Sequence, residues 1–161
     1  MPEIIKTLLD PRKIERYLVG VADVEAEWSV HELNAYGEVW ADSGPNAIAL
    51  DAAYSDHVLI KYELWDGEPA ASDWDESWSG SVHLTSGKIF ALSCHSGEAT
   101  DHEEFNLGRR DHEWQFRIHR KLLSHEDFTT KIIGFALFKL QFWSRTAAVR
   151  PYSEDEPPHG L

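Results

Sequence analysis

Nine histidines and one cysteine are the residues of this 161-residue chain best suited to metal or nucleophilic chemistry. Zinc sites draw close-spaced ligand pairs, because a single turn or hairpin must present both donors. His95, His102 and His112 instead lie at irregular spacing in a loop-rich stretch, which is the pattern of scattered surface histidines. Cys94 and His95 put a thiol next to an imidazole, but neighbours on a strand face opposite sides, so a buried structural cysteine is expected. Asp73-Trp74-Asp75-Glu76 lacks the longer run of oxygen ligands and the glycine of a calcium loop. No Gly-x-Ser-x-Gly elbow and no phosphate-cradling glycine loop occurs. The expectation is a chain with no catalytic residues, no metal and no cofactor.

Charge carries more information. The formal net charge is −13, from 28 acids against 15 Lys and Arg. Residues 62–108 hold ten acids and one base, Lys88, so −9 of that total lies in one window. Trp65, Trp74 and Trp78 stand among its Glu63, Asp66, Glu68, Asp73, Asp75 and Glu76. Aromatic anchors ringed by carboxylates suit a basic protein: rings supply buried area, and acids steer and pair with Lys or Arg. On that ground Glu63, Asp66, Asp73, Trp74, Asp75, Glu76 and Trp78 are the candidate partner-binding residues. The competing account has the tryptophans packed inward beneath a solvated acidic loop. Five of the fifteen bases fall in residues 109–121, namely Arg109, Arg110, Arg117, Arg120 and Lys121. They suit a phosphate, the protein's own acids or a solvated strand face. Nucleic acid is disfavoured, because the overall field repels phosphates.

Short elements must carry these residues. Residues 9–21 predict a helix, with Asp10 as N-cap, Pro11 at the first position and Ile14, Tyr17, Leu18 and Val21 at helical spacing. Beyond it the period becomes two. Residues 27–33 read as a modest strand, and in 58–64 Val58, Ile60, Tyr62 and Leu64 share a face. Residues 81–85 and 88–92 flank Ser86-Gly87 as a hairpin. Trp114, Phe116 and Ile118 alternate over 114–119, and Phe138, Leu140 and Phe142 over 136–143. Residues 121–133 are too long for a tight turn and suit a loop or short helix.

Such strands between Gly, Pro, Asp and Ser clusters predict a mainly β fold, an antiparallel β-sandwich with a short N-terminal helix at about 10–20. One domain over 1–150 and a disordered acidic tail over 151–161 are expected. The single cysteine excludes an intrachain disulfide, and no stretch approaches the roughly 18–20 apolar residues of a membrane span. With no signal-peptide pattern at the N-terminus, the expected location is the cytoplasm.

Several segments together resemble a β-rich group of proteins of streptomycetes and related actinobacteria. They are Val58-Leu-Ile-Lys-Tyr-Glu-Leu-Trp-Asp-Gly-Glu-Pro69, Asp73-Trp-Asp-Glu76, Leu84-Thr-Ser-Gly-Lys-Ile89, Phe105-Asn-Leu107, Trp114-Gln-Phe-Arg-Ile-His-Arg120 and Phe138-Lys-Leu-Gln-Phe-Trp143. That group is remotely similar to the ComJ-like competence proteins, small acidic β-rich nuclease inhibitors. The shared features are an acidic Asp-Trp-Asp segment before a central strand and a late strand that ends the domain. The N-terminal helix and the basic stretch 109–121 depart from that pattern. The resemblance implies inhibition of a basic enzyme by blocking its nucleic-acid groove. The preferred reading is therefore a non-enzymatic acidic protein that binds a basic nuclease or toxin, as inhibitor or immunity protein. The alternative is a sandwich that binds carbohydrate or another small ligand, with Trp65, Trp74 and Trp78 as stacking platforms.

Overall fold

In a computed structural model that describes residues 1–10, 18–36, 38–53, 57–71, 73–74, 76–93, 102–124 and 134–145, ten strands among the described residues form two five-stranded sheets. The strands are β1 (Ile4–Asp10), β2 (Leu18–Asp23), β3 (Ala41–Gly44), β4 (Ala47–Leu50), β5 (His57–Trp65), β6 (Glu76–Leu84), β7 (Lys88–Ser93), β8 (Phe105–Asn106), β9 (His112–Ser124) and β10 (Gly134–Ser144). The first sheet runs β1-β5-β10-β9-β6 and the second β3-β4-β2-β7-β8.

Alternation explains the first sheet. Val58, Ile60, Tyr62 and Leu64 of β5, Trp114, Phe116 and Ile118 of β9, and Phe138, Leu140 and Phe142 of β10 are all buried on its inner face. They pack with Val21, Ile48, Leu50, Ile89, Ala91, Phe105 and Leu107 into one core shared by both sheets. The second sheet is covered on its outer face as well. Ala22, Ala47, Ala49, Phe90 and Leu92 form a smaller cluster with Val30 and Leu33, from the segment that begins with a 3-10 helix at Glu27–Glu32. All four residues of β4 are buried, so this strand reads as a continuous apolar run without alternation.

Five expectations are corrected. The ends of the helix expected over 9–21 are strands: Leu9 and Asp10 belong to β1, and 18–21 to β2, while 11–17 lie outside the described residues. A register shift between Leu18 and Gly20 puts Leu18 and Val21 into the same core, three residues apart, which mimics helical spacing. The strand expected over 27–33 is instead the 3-10 helix, where a three-residue turn brings Val30 and Leu33 onto the same cluster. Residues 81–92 are not a hairpin, because β6 pairs with β9 and β7 with β2. Ser86-Gly87 carries the chain from one sheet to the other, with Gly87 at φ +78°. Finally, β10 is a central strand that runs parallel to β5 and antiparallel to β9. The antiparallel rule therefore fails at one pair, and the strand after Asp73-Trp-Asp, β6, is an edge rather than a centre. The tail from residue 151 and most of 121–133 fall outside the described residues.

Candidate functional site

The outer face of the first sheet brings the acidic window and the basic stretch together. Glu63 on β5 lies in register with Gln141 on β10, which in turn faces Arg117 on β9. The Glu63 carboxylate accepts from Gln141 Nε2 at 3.0 Å and Trp65 Nε1 at 2.9 Å, and it pairs with Lys61 Nζ at 3.1 Å. Burial pushes its pKa up, but these three donors outweigh burial and hold the carboxyl below the usual range. Gln141 Oε1 lies 3.1 Å from His119 Nε2. With Gln141 donating to Glu63, this contact assigns the imidazole proton to Nε2. Burial first, with Lys139 and Arg117 adding to it, lowers the His119 pKa against the opposing pull of Gln141 and Glu63, so the ring is neutral near pH ~7.

The β5–β6 connection lies over this row and is pinned by it. Arg117 donates to Pro69 O at 2.8 Å and to Glu68 Oε2 at 3.1 Å, with its guanidinium 5.6 Å from the Trp143 ring. Trp74 lies 5.9 Å from the His119 ring, and Lys139 Nζ sits 5.2 Å from the Trp74 centroid. Asp66 accepts from the Glu3 backbone N–H at 2.7 Å. On the opposite, inner face, Arg120 grips Glu76 through two bonds of 2.7 and 2.8 Å, donates to Asp51 O and lies 4.9 Å from the Trp40 ring. Arg110 makes a similar fork onto Glu25. The basic stretch therefore serves largely as the chain's own counter-charge.

The candidate residues thus separate. Glu63 is buried, Glu76 is half-buried and ion-paired, and Trp74 is half-buried. Trp78 is half-buried on the opposite, inner face of the sheet, 5.4 Å from Phe116. Asp66 and Asp73 are exposed, and Asp75 lies outside the described residues. Asp73, Glu103 and Glu104 stand at the surface with no ion-pair partner among the described residues.

The histidines differ from a scattered surface set. His102 is buried, with Nδ1 3.5 Å from the equally buried Asp10. His112 is half-buried against Trp114 and 2.9 Å from Ser144 Oγ. Cys94 and His95 lie outside the described residues. The Asp10–His102 pair escaped sequence reading because its members are 92 residues apart; only the end of β1, reaching the core beside Ile60, brings them together. Among the described residues no group of three or more His, Cys, Asp or Glu is placed to hold a metal ion. None of the helices there is long and apolar enough to cross a membrane. A separate cleft of about 410 Å³ opens beside the 3-10 helix, lined by apolar residues such as Leu18, Leu33 and Tyr36 and by the polar His31, Asn34 and Asp51.

The chain shares its fold with ComJ from Bacillus subtilis, the inhibitor of the DNA degrading activity of NucA. The TM-score is 0.52 at 11% identity, over 88% of this chain and 98% of that one. The crocagin biosynthetic gene J product is also similar, at TM-score 0.45 and 12% identity, over 90% of this chain and 99% of that one. No protein-family model matches the chain, and no curated protein matches it in sequence.

Proposed function

We propose that this chain is a non-enzymatic binding protein whose acidic surface engages a basic protein, and that it acts as the inhibitor of a nuclease. The observation that carries the reading is the surplus of carboxylates left after internal pairing. Glu63, Glu68 and Glu76 are consumed by the chain's own donors, whereas Asp73, Glu103 and Glu104 remain exposed on a molecule of net charge −13. A field of that sign attracts basic proteins and fits the groove of an enzyme built to hold phosphates. ComJ, with the same fold, is an inhibitor of DNA degradation, which agrees with this reading.

The test is inhibition of DNA degradation by basic nucleases encoded in the same genome, titrated at several salt concentrations. The expected outcome is a stoichiometric end point whose affinity falls with salt and drops about tenfold or more in Asp73→Lys/Glu103→Lys. Absence of inhibition across such nucleases, or inhibition indifferent to both salt and charge reversal, would refute it.

A second reading, small-ligand binding, is favoured only by the cleft beside the 3-10 helix, whose volume suits a small organic molecule. Trp65, Trp74 and Trp78 support it less, since each already contacts a side chain of the protein. A fluorescence screen of oligosaccharides against wild type and Tyr36→Ala separates the two.

A further inference from the structure

The two edges of the first sheet differ in a way that bears on how a partner is held. β1 carries Lys6 and a register irregularity between Ile4 and Lys6, both of which discourage edge pairing. β6 has neither device. Its nine residues pair with β9 in unbroken register, contain no Pro, and carry no Lys or Arg. The His83 carbonyl accepts from Asn46 N–H at 2.8 Å, so it points away from β9. By the two-residue period of an antiparallel ladder, the backbone groups of Ser77, Ser79 and Ser81 point the same way. All three serines are exposed, and among the described residues no strand pairs with that side. Beside them on the inner face, Trp78 is half-buried at the rim, next to a Gly80 that adds no side chain.

Exposed acids bracket this open stretch. Asp73 stands just ahead of β6, and Asp111 and Glu113 stand at its other end beside His83. Resting on the proposed function, we propose that β6 is the docking edge: an extended segment of the basic partner adds as a sixth strand along Ser77–Ser81. Its apolar residues pack on Trp78, and its Lys or Arg residues meet the flanking acids. Main-chain hydrogen bonds supply affinity in such strand addition, and alternate side chains supply specificity. A second copy of this chain is the poorer occupant. Antiparallel pairing of two β6 strands brings Asp73 of one copy toward Asp111 and Glu113 of the other, with −13 on each molecule.

The probe is a ten-residue peptide alternating lysine and valine, with a version N-methylated at alternate residues so that it cannot complete a ladder. Amide hydrogen exchange and calorimetry read its binding to wild type and to Ser79→Pro. Proline removes only an outward N–H there, and an edge strand tolerates that change. Expected are protection at Ser77, Ser79 and Ser81, and binding at least ~10-fold weaker with Ser79→Pro and with the methylated peptide. The methylated peptide decides the matter should Ser79→Pro fold poorly, since it leaves the protein unchanged. Absence of binding, or binding that ignores both changes, overturns strand addition; if that binding still falls with salt, the acidic reading survives. Loss with Ser79→Pro but no response to salt leaves the edge standing and sinks the acidic reading. Dimerisation of the free protein abolished by Ser79→Pro names a second copy as occupant and overturns the basic segment.

Discussion

At the scale of single residues, the outer face of the first sheet shows what becomes of buried charge when each group has a specific donor. Burial opposes charge on both Glu63 and His119; donors to Glu63 overcome it and keep that group ionised, whereas at His119 burial prevails and favours the neutral ring. Glu63 is depressed in the folded state, so its contribution is present above the ordinary carboxylate value of 4.5 and is lost as pH falls through its lower folded value. His119 and His112 are also lowered, burial being the first cause at each. The unfolded chain therefore takes up protons at these histidines before the folded one does, and stability declines as pH falls below 6.5. Urea denaturation should accordingly show two phases of acid destabilisation, the upper one blunted in His119→Gln. A curve unchanged by that substitution would contradict the assignment. Arg120→Met should cost about 3 kcal/mol, because Glu76 and the Asp51 carbonyl lose a buried partner. Lysine at Arg120 should restore little, since it cannot reproduce the fork onto Glu76. Thermal melts of the two variants decide this.

Elements are joined by devices that act at a distance in sequence. The passage between sheets at Ser86-Gly87 is held by Asp23, whose carboxylate accepts from the N–H groups of Ser86 and Gly87 and from Ser86 Oγ. Asp23 is fully buried at the end of β2, so Asp23→Ala leaves these donors unmet and should destabilise by about 2–3 kcal/mol. Gly87→Ala should be at least as damaging, as a Cβ there would meet the Arg109 carbonyl oxygen at 2.1 Å with φ at +78°. Chemical denaturation measures both. A neutral Gly87→Ala would mean that the turn is not built as described.

The whole molecule is governed by its excess of acids. Raising ionic strength from ~50 to ~300 mM should raise the melting temperature of the free protein through relief of self-repulsion, while weakening any complex with a basic partner. These opposite signs distinguish surface charge from the internally paired carboxylates, which salt reaches less. Differential scanning fluorimetry alongside binding titrations reads both; a complex strengthened by salt would argue for an apolar interface instead.

Amino-acid order alone determined β5, β9 and β10 of the first sheet, because a sheet buried on one face imposes a period of two on residues such as Val58, Ile60, Tyr62 and Leu64; it left β1 and most of β6 unread. It also determined the mainly β class and the clustering of acids with tryptophans. It could not separate β2 from a helix, since a strand covered on both faces and shifted in register between Leu18 and Gly20 loses that period. Nor could it say that β6 and β7 part into different sheets, that β10 inserts beside β5, or that Asp10 meets His102. Those pairings are non-local, chosen by which strands complete a common core rather than by any local preference. The same holds for the candidate site: local composition gathered Glu63, Asp73, Trp74 and Glu76. Only tertiary structure decided which of them face the chain's own bases and which stand exposed, because ion pairing is settled by proximity across strands far apart in sequence.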